Sequence, residues 1–232
     1  CNDYTNSHLS KKELIEKYQI SNWTFTSIRE RHNIPKRKRN APRKNLIACD
    51  ERFFETIDTP AKSYWLGFIA ADGCIKRKPD KFDNYVLSIG LAIKDTNHLE
   101  KFKKDLKCEY SLKIEKQFHK QMQKFYETVY LRVPRTILCE DLIKQGVGRD
   151  KSKELKIPNL PENLLVHWIR GYFDGDGSWQ INKNHLQFSL ISSVESFTKE
   201  IQDFIRLRCQ LDNLTSIYFN KNAWQFSYYG ND

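Results

Sequence analysis

The sequence predicts an α+β protein made of two copies of one helix–strand–strand–helix–strand–strand unit, preceded by a small helical unit. Residues 64–73 recur at 168–177, with Gly67 on Gly171, Phe68 on Tyr172 and Asp72-Gly73 on Asp176-Gly177, a separation of 104 residues. The segments downstream of each copy also repeat: two alternating stretches, a helix-spaced stretch, then two more alternating stretches. Ahead of both, residues 9–35 carry apolar residues at helical spacing.

The N-terminal segment reads as two short helices. Ser10 caps the first, with Glu13 three residues later completing a capping box, and Leu14, Ile15 and Tyr18 form its apolar stripe. After a break at 19–21, Ser21 or Asn22 caps a second helix carrying Trp23, Phe25, Ile28 and His32, and Pro35 ends it. The pattern resembles the helix-turn-helix of DNA-binding proteins, whose second helix enters the major groove; that sets Asn22, Thr24, Ser27, Arg29 and Arg31 near DNA. A plain helical hairpin is the alternative, since the usual third helix is not visible. Lys36, Arg37, Lys38 and Arg39, then Arg43 and Lys44, follow Pro35 and straddle Pro42 as an extended basic run. It is either a solvated linker or a grip on nucleic acid.

The chain has 232 residues, with 39 Lys and Arg against 29 Asp and Glu, a formal charge of +10. Residues 1–50 hold a net +6 of that excess, so the charge is concentrated at one end. A basic balance points to a polyanionic partner, most simply nucleic acid. The longest apolar stretch, residues 64–71, is far short of a membrane span. No apolar leader precedes the first unit, so the expected location is cytoplasmic, organellar or nucleoid-associated, not secreted. Six dispersed cysteines and six dispersed histidines match no zinc or redox spacing and read as reduced, mostly packing residues.

In the first repeat a helix runs to Asp72, followed by strands at 74–78 and 85–93 and a helix at 95–106. Strands at 111–116 and 125–133 and a closing helix at 134–144 complete it. The second repeat continues through strands at 178–182 and 186–192, a helix at 194–208, and strands at 214–219 and 223–229. Gly67 and Ala71 in one copy, and Gly171 and Gly175 in the other, lie four apart on a helix face and permit close backbone approach. Side-by-side packing of the two helices brings Asp72 and Asp176 together at their C-terminal ends, each beside a glycine, Gly73 or Gly177, that lets the chain turn into a strand. Two carboxylates there repel one another and the helix dipoles unless a cation joins them, and oxygen ligands suit Mg²⁺.

The paired motif resembles that of LAGLIDADG homing endonucleases of the single-chain type, over residues 50–232, and residues 146–178 are similar to the segment joining their halves. The resemblance implies a pseudo-symmetric, doubled αββαββα core whose two antiparallel sheets form a saddle over double-stranded DNA. It implies that Asp72 and Asp176, with the adjoining Gly73 and Gly177, hold Mg²⁺ or Mn²⁺ at the scissile phosphates. Each strand is then hydrolysed once by a chain acting as a monomer. Lys151 matches an active-site lysine, with an ordinary linker lysine as the alternative, and Asp95 matches a position that often carries a water-organising polar residue. The implied domains are a helix-turn-helix-like unit and basic linker at 1–45, a first half at 46–150 and a second at 151–232.

Alternation gives the DNA-facing residues independently. With Leu87, Ile89 and Leu91 packed under the helices, Ser88, Gly90 and Lys94 take the other face; with Leu186, Phe188 and Leu190 inward, Gln187 and Ser189 do. Lys76 and Lys78 correspond to Gln180 and Asn182, near Ser178, and Tyr130 and Arg132 join from the fourth strand. Lys and Arg hold phosphates or read guanine, while Gln and Asn suit adenine. A solvated sheet face is the plainer account of the same alternation.

The first motif has Ala70 where the second has Asp174, so only the last acid is shared. The chain begins with Cys1, and its second half has no match to the closing helix or to Lys151, so the sequence reads as a fragment. Two other functions fit the same fold: a maturase binding intron RNA, and a non-catalytic DNA-binding transcriptional regulator. Retention of both acids favours the nuclease.

Overall fold

A computed structural model describes residues 11–34, 47–77, 85–119, 123–148, 154–182, 185–212 and 215–230. The chain divides into two compact units, residues 1–48 and 49–232.

In the first unit, α1 (Lys11–Tyr18) and α2 (Asn22–Arg31) are joined by a tight turn in which Gln19 takes φ 50°. Ser21 caps α2, its hydroxyl accepting from the Thr24 amide at 3.0 Å. Leu14 is buried, but no residue of α2 is, and Trp23 is 78% exposed.

The second unit is built on α3 (Pro60–Asp72) and α6 (Glu162–Asp176), which pack along their whole length. Thr59 caps α3 and Pro60 occupies its first turn, where a missing N–H costs nothing. Residues 63–70 of α3 are buried without a break, so this helix has no solvent face. The buried Ser63 hydroxyl donates to the Leu164 carbonyl of α6 at 2.7 Å.

Each helix runs into a four-stranded antiparallel sheet. β1 (Gly73–Arg77), β2 (Tyr85–Ala92), β3 (Lys113–His119) and β4 (Lys124–Val133) pair in the order β1-β2-β4-β3. β5 (Gly177–Asn182), β6 (His185–Ser192), β7 (Tyr218–Asn220) and β8 (Ala223–Tyr229) pair as β5-β6-β8-β7, the same order. The helix between the second and third strands is α4 (Thr96–Asp105) in the first half and α7 (Glu195–Cys209) in the second. α5 (Thr136–Lys144) closes the first half against β2. Leu87, Ile89, Leu131 and Val133 fill the underside of the first sheet with Leu99, Phe102, Leu138 and Leu142 from α4 and α5. Leu190 and Phe226 do the same in the second, under Phe197 and Ile201 of α7. Among the described residues no helix is long and apolar enough to cross a membrane.

The duplicated α+β architecture and its order of elements are those the sequence predicts. Four details differ. The seventh strand is short, Tyr218–Asn220, because residues 215–217 run past the sheet and Thr215 instead accepts from Gln202 of α7 at 2.7 Å. β2 ends at Ala92, so Lys94 belongs to a 3₁₀ turn (Ile93–Asp95) and strand alternation does not set its side. Leu186, expected inward, is 48% exposed at the rim of its sheet. Gly73 and Gly177 have ordinary extended backbone, φ −76° and −92°. Glycine is required there for space: a Cβ would run into Ile69 in one copy and Phe173 in the other, as the chain leaves the helix tightly against its own last turn.

Candidate nucleic-acid interface and paired acids

The site begins with two glycines. A methyl group on Gly67 would run into the Trp168 carbonyl, and one on Gly171 into the Tyr64 carbonyl. The two helices therefore touch backbone to backbone at both places, a separation that no other residue permits. One turn further on, Ala71 faces Gly175, and Asp72 Oδ2 lies 3.2 Å from where a Cβ on Gly175 would stand. This carries the Asp72 carboxylate across the seam to the residue preceding Asp176. Tyr172 lies beneath both acids: burial first, then the charges of Asp176 and Asp72, push its phenol well above the usual tyrosine range.

Among the described residues no three or more His, Cys, Asp or Glu side chains converge as a metal site. A divalent cation here would have the two carboxylates at the negative ends of two helices, completed by backbone carbonyl, water or phosphate oxygens, a donor set that suits Mg²⁺ or Mn²⁺. The residues present thus fit such an ion.

From this seam the two sheets carry their polar faces outward. On the first sheet, register places Lys76, Ser88, Gly90, Tyr130 and Arg132 on one side, together with Lys113, Glu115 and Gln117 of β3. Arg132 forms a double hydrogen bond to Glu115, at 2.6 and 3.0 Å, and its guanidinium lies 4.5 Å from the Tyr130 ring centre. Tyr130 lies over Gly90, where a Cβ would strike its ring, and accepts from Gln117 Nε2 at 3.0 Å. The Arg132 guanidinium, with Lys113 and Lys76 nearby, holds the Glu115 carboxyl below its ordinary range.

On the second sheet the matching face carries Ser178, Gln180, Gln187 and Ser189, joined by Gln225, Ser227 and Tyr229 of β8. Two residues expected to meet DNA are buried: Ser88 is 5% and Ser189 3% exposed. Both stand on central strands covered from two sides, Ser88 between Cys74 and Arg132 and Ser189 between Ser178 and Ser227, and the Ser189 hydroxyl is held by that of Ser227 at 2.8 Å. Sequence reasoning missed Lys113, Glu115, Gln117, Gln225 and Tyr229. Their alternation was readable, but their side of the sheet depends on cross-strand register.

In the first unit Arg31 is exposed, whereas Arg29 is largely covered and pairs with Glu30 at 3.2 Å. Lys36, Arg37, Lys38, Arg39, Lys78 and Lys151 lie outside the described residues, as do the side-chain surroundings of Asn182. Asp95 ends the 3₁₀ turn, exposed.

Behind the seam the halves meet through a polar clasp. Tyr64 donates to Asp174 Oδ2 at 2.6 Å and lies 3.2 Å from His98 Nε2, with the Arg170 guanidinium over its ring. Burial pushes the Tyr64 phenol up and the His98 imidazole down. The cluster opens into a cleft of about 680 Å³ edged by Lys101, Lys104 and Asp105.

No protein-family model matches the chain. The ribonucleoside-diphosphate reductase NrdEB subunit alpha of Bacillus subtilis (strain 168), and the subunit of the same name in Bacillus phage SPbeta, are each 25% identical to it over 192 residues. The alignment covers 78% of this chain and 17% of each relative, so the chain spans about a sixth of the length of the curated relatives it matches. Among solved structures, the homing endonuclease I-WcaI bound to its DNA recognition sequence is 14% identical, covering 78% of this chain and 82% of that one with a TM-score of 0.55. The N-terminal LAGLIDADG domain of WhiA is 16% identical over 79% of this chain and 84% of its own, at a TM-score of 0.45. The likeness to I-WcaI is one of fold.

Proposed function

We propose that this chain, a LAGLIDADG-fold protein, is a site-specific endonuclease that cuts double-stranded DNA with Mg²⁺ or Mn²⁺. The observation that carries the proposal is the backbone contact at Gly67 and Gly171, which supports Asp72 and Asp176 as a pair at the head of two polar sheet faces. A pair of charges at two helix C-termini is unfavourable in a protein that only binds. Divalent cations, when bound, would activate water and offset charge on the scissile phosphates. Asp72 and Asp176 hold them, Tyr172 supports the acids from below, and Lys151 acts as the active-site lysine. The sheet faces position the duplex, and the N-terminal unit with its basic run at 36–39 adds a second grip. Similarity to a short part of a reductase subunit in a bacterium and a phage favours a mobile domain carried within a longer protein, as in an intein, over a free-standing enzyme.

The test is incubation of the full chain with a randomised duplex library and Mg²⁺ or Mn²⁺, beside Asp72→Asn, Asp176→Asn and Lys151→Ala. The wild type should cut a defined subset. Both Asn variants should bind the same duplexes without cutting them, and Lys151→Ala should cut slowly with binding intact. Wild-type binding with no cutting under either metal would replace this reading with a DNA-binding regulator; preference for structured intron RNA would replace it with a maturase.

A further inference from the structure

The two sheets share strand order and register, yet their polar faces differ in charge. The first carries Lys76, Lys113, Lys124 and Arg132 against one acid, Glu115. The second presents glutamine and serine, chiefly Gln180, Gln187, Gln225 and Ser178, and has no Lys or Arg on that face among the described residues. A pseudo-symmetric scaffold thus carries two chemically different reading surfaces.

Arg132 is also unusually well set. Glu115 engages one N–H from each of its terminal nitrogens, and the Tyr130 ring supports the guanidinium plane. Tyr130 is itself fixed by lying over Gly90 and by Gln117. A guanidinium has five N–H donors, so three are left, among them Nε–H and its neighbour on the same edge. That edge matches guanine O6 and N7 in the major groove, and holding it in place lowers the entropy cost of using it.

We infer that Arg132 reads a guanine in the half-site under the first sheet, positioned by Glu115 and Tyr130, while the second sheet reads an A·T-rich half-site. The target is therefore asymmetric in composition and is bound in one orientation. Glutamine is the matching reader for adenine, through N6 and N7. The cations confined to the first sheet make binding to that half the more salt-sensitive. This inference rests on the DNA-binding reading above and specifies its substrate.

The experiment is selection of bound duplexes from a randomised library by the full chain in EDTA, so that cutting plays no part. One half-site should return a fixed guanine and the other a run of A·T pairs. Repeating the selection with Arg132→Ala or Arg132→Lys should lower preference for that guanine about tenfold and leave the other half unchanged; Lys keeps the charge but loses the fork. Glu115→Ala should weaken the same preference without weakening overall affinity, because it frees Arg132 while removing a negative charge. Two half-sites of equal composition, or an Arg132→Ala variant weakened equally on every sequence, would overturn the inference while leaving DNA binding intact. If no duplex is enriched at all, the DNA-binding reading fails first and the inference falls with it.

Discussion

In the first half His98 lies against Tyr64 and Phe68, with ring centres 6.0 and 4.6 Å apart. At the matching place in the second half Phe197 lies against Trp168 and Tyr172, at 6.0 and 4.9 Å. The geometry is shared and the chemistry is not. Trp168, Tyr172 and Phe197 are each 1% exposed or less, whereas the His98 cluster hydrogen-bonds across the helix pair to Asp174 and opens to solvent. The same divergence marks the sheets. Ile75 on β1 is 6% exposed, but its counterpart Trp179 on β5 is 61% exposed. Duplication has kept the backbone contacts that pair the acids and let the surroundings drift. What stays equal between the halves is what the seam needs.

The sharpest way to test that equality is at the seam itself. Gly67→Ala and Gly171→Ala should each destabilise the fold by about 3 kcal/mol, because each added methyl meets a carbonyl on the partner helix. Urea unfolding midpoints should fall by similar amounts; a cost at only one site would show that the two contacts are not equivalent. Next comes the clasp, which only one side possesses. Tyr64→Phe should cost about 1.5 kcal/mol by removing a hydrogen bond to a carboxylate.

A smaller effect separates the halves by pH. His98 is held below the ordinary histidine value of about 6.5, chiefly by burial. Asp174 and Asp95 oppose that shift, while Lys101 adds to it. The unfolded chain therefore binds this proton first, so stability should decline as pH falls below about 6.5. His98→Phe, which copies the Phe197 side, should remove that part of the decline in unfolding curves taken between pH 5 and 7. Smallest is the buried serine pair: Ser189→Ala should cost about 1 kcal/mol by leaving the Ser227 hydroxyl without its partner.

Much of this was legible because it is local. Ser21 as a cap and the alternation at 85–93 each act within a few residues. The repeat then implied that what one half does the other does too. Asp72 and Asp176 could be paired in advance because small residues four apart leave a helix little else to do but approach another closely. Ser88 and Ser189 show where local reading stopped. Their phase was right, but burial depends on which strands flank them, and both neighbours come from elsewhere in the chain. Lys113 and Glu115 were passed over for the same reason, since nothing near residue 113 says that it will stand opposite Tyr130.

The sequence by itself determined the duplication, the order of elements, the central helix pair and the two acids at its end, because periodicity and small-residue spacing act along the chain. Only the tertiary structure decided that glycines 73 and 177 serve space rather than turning. It also decided that Arg132 is locked by Glu115 and Tyr130, and that the clasp of Tyr64, His98 and Asp174 exists on one side alone. Those outcomes depend on cross-strand register and on the fit of two helices face to face, which bring together side chains up to 110 residues apart.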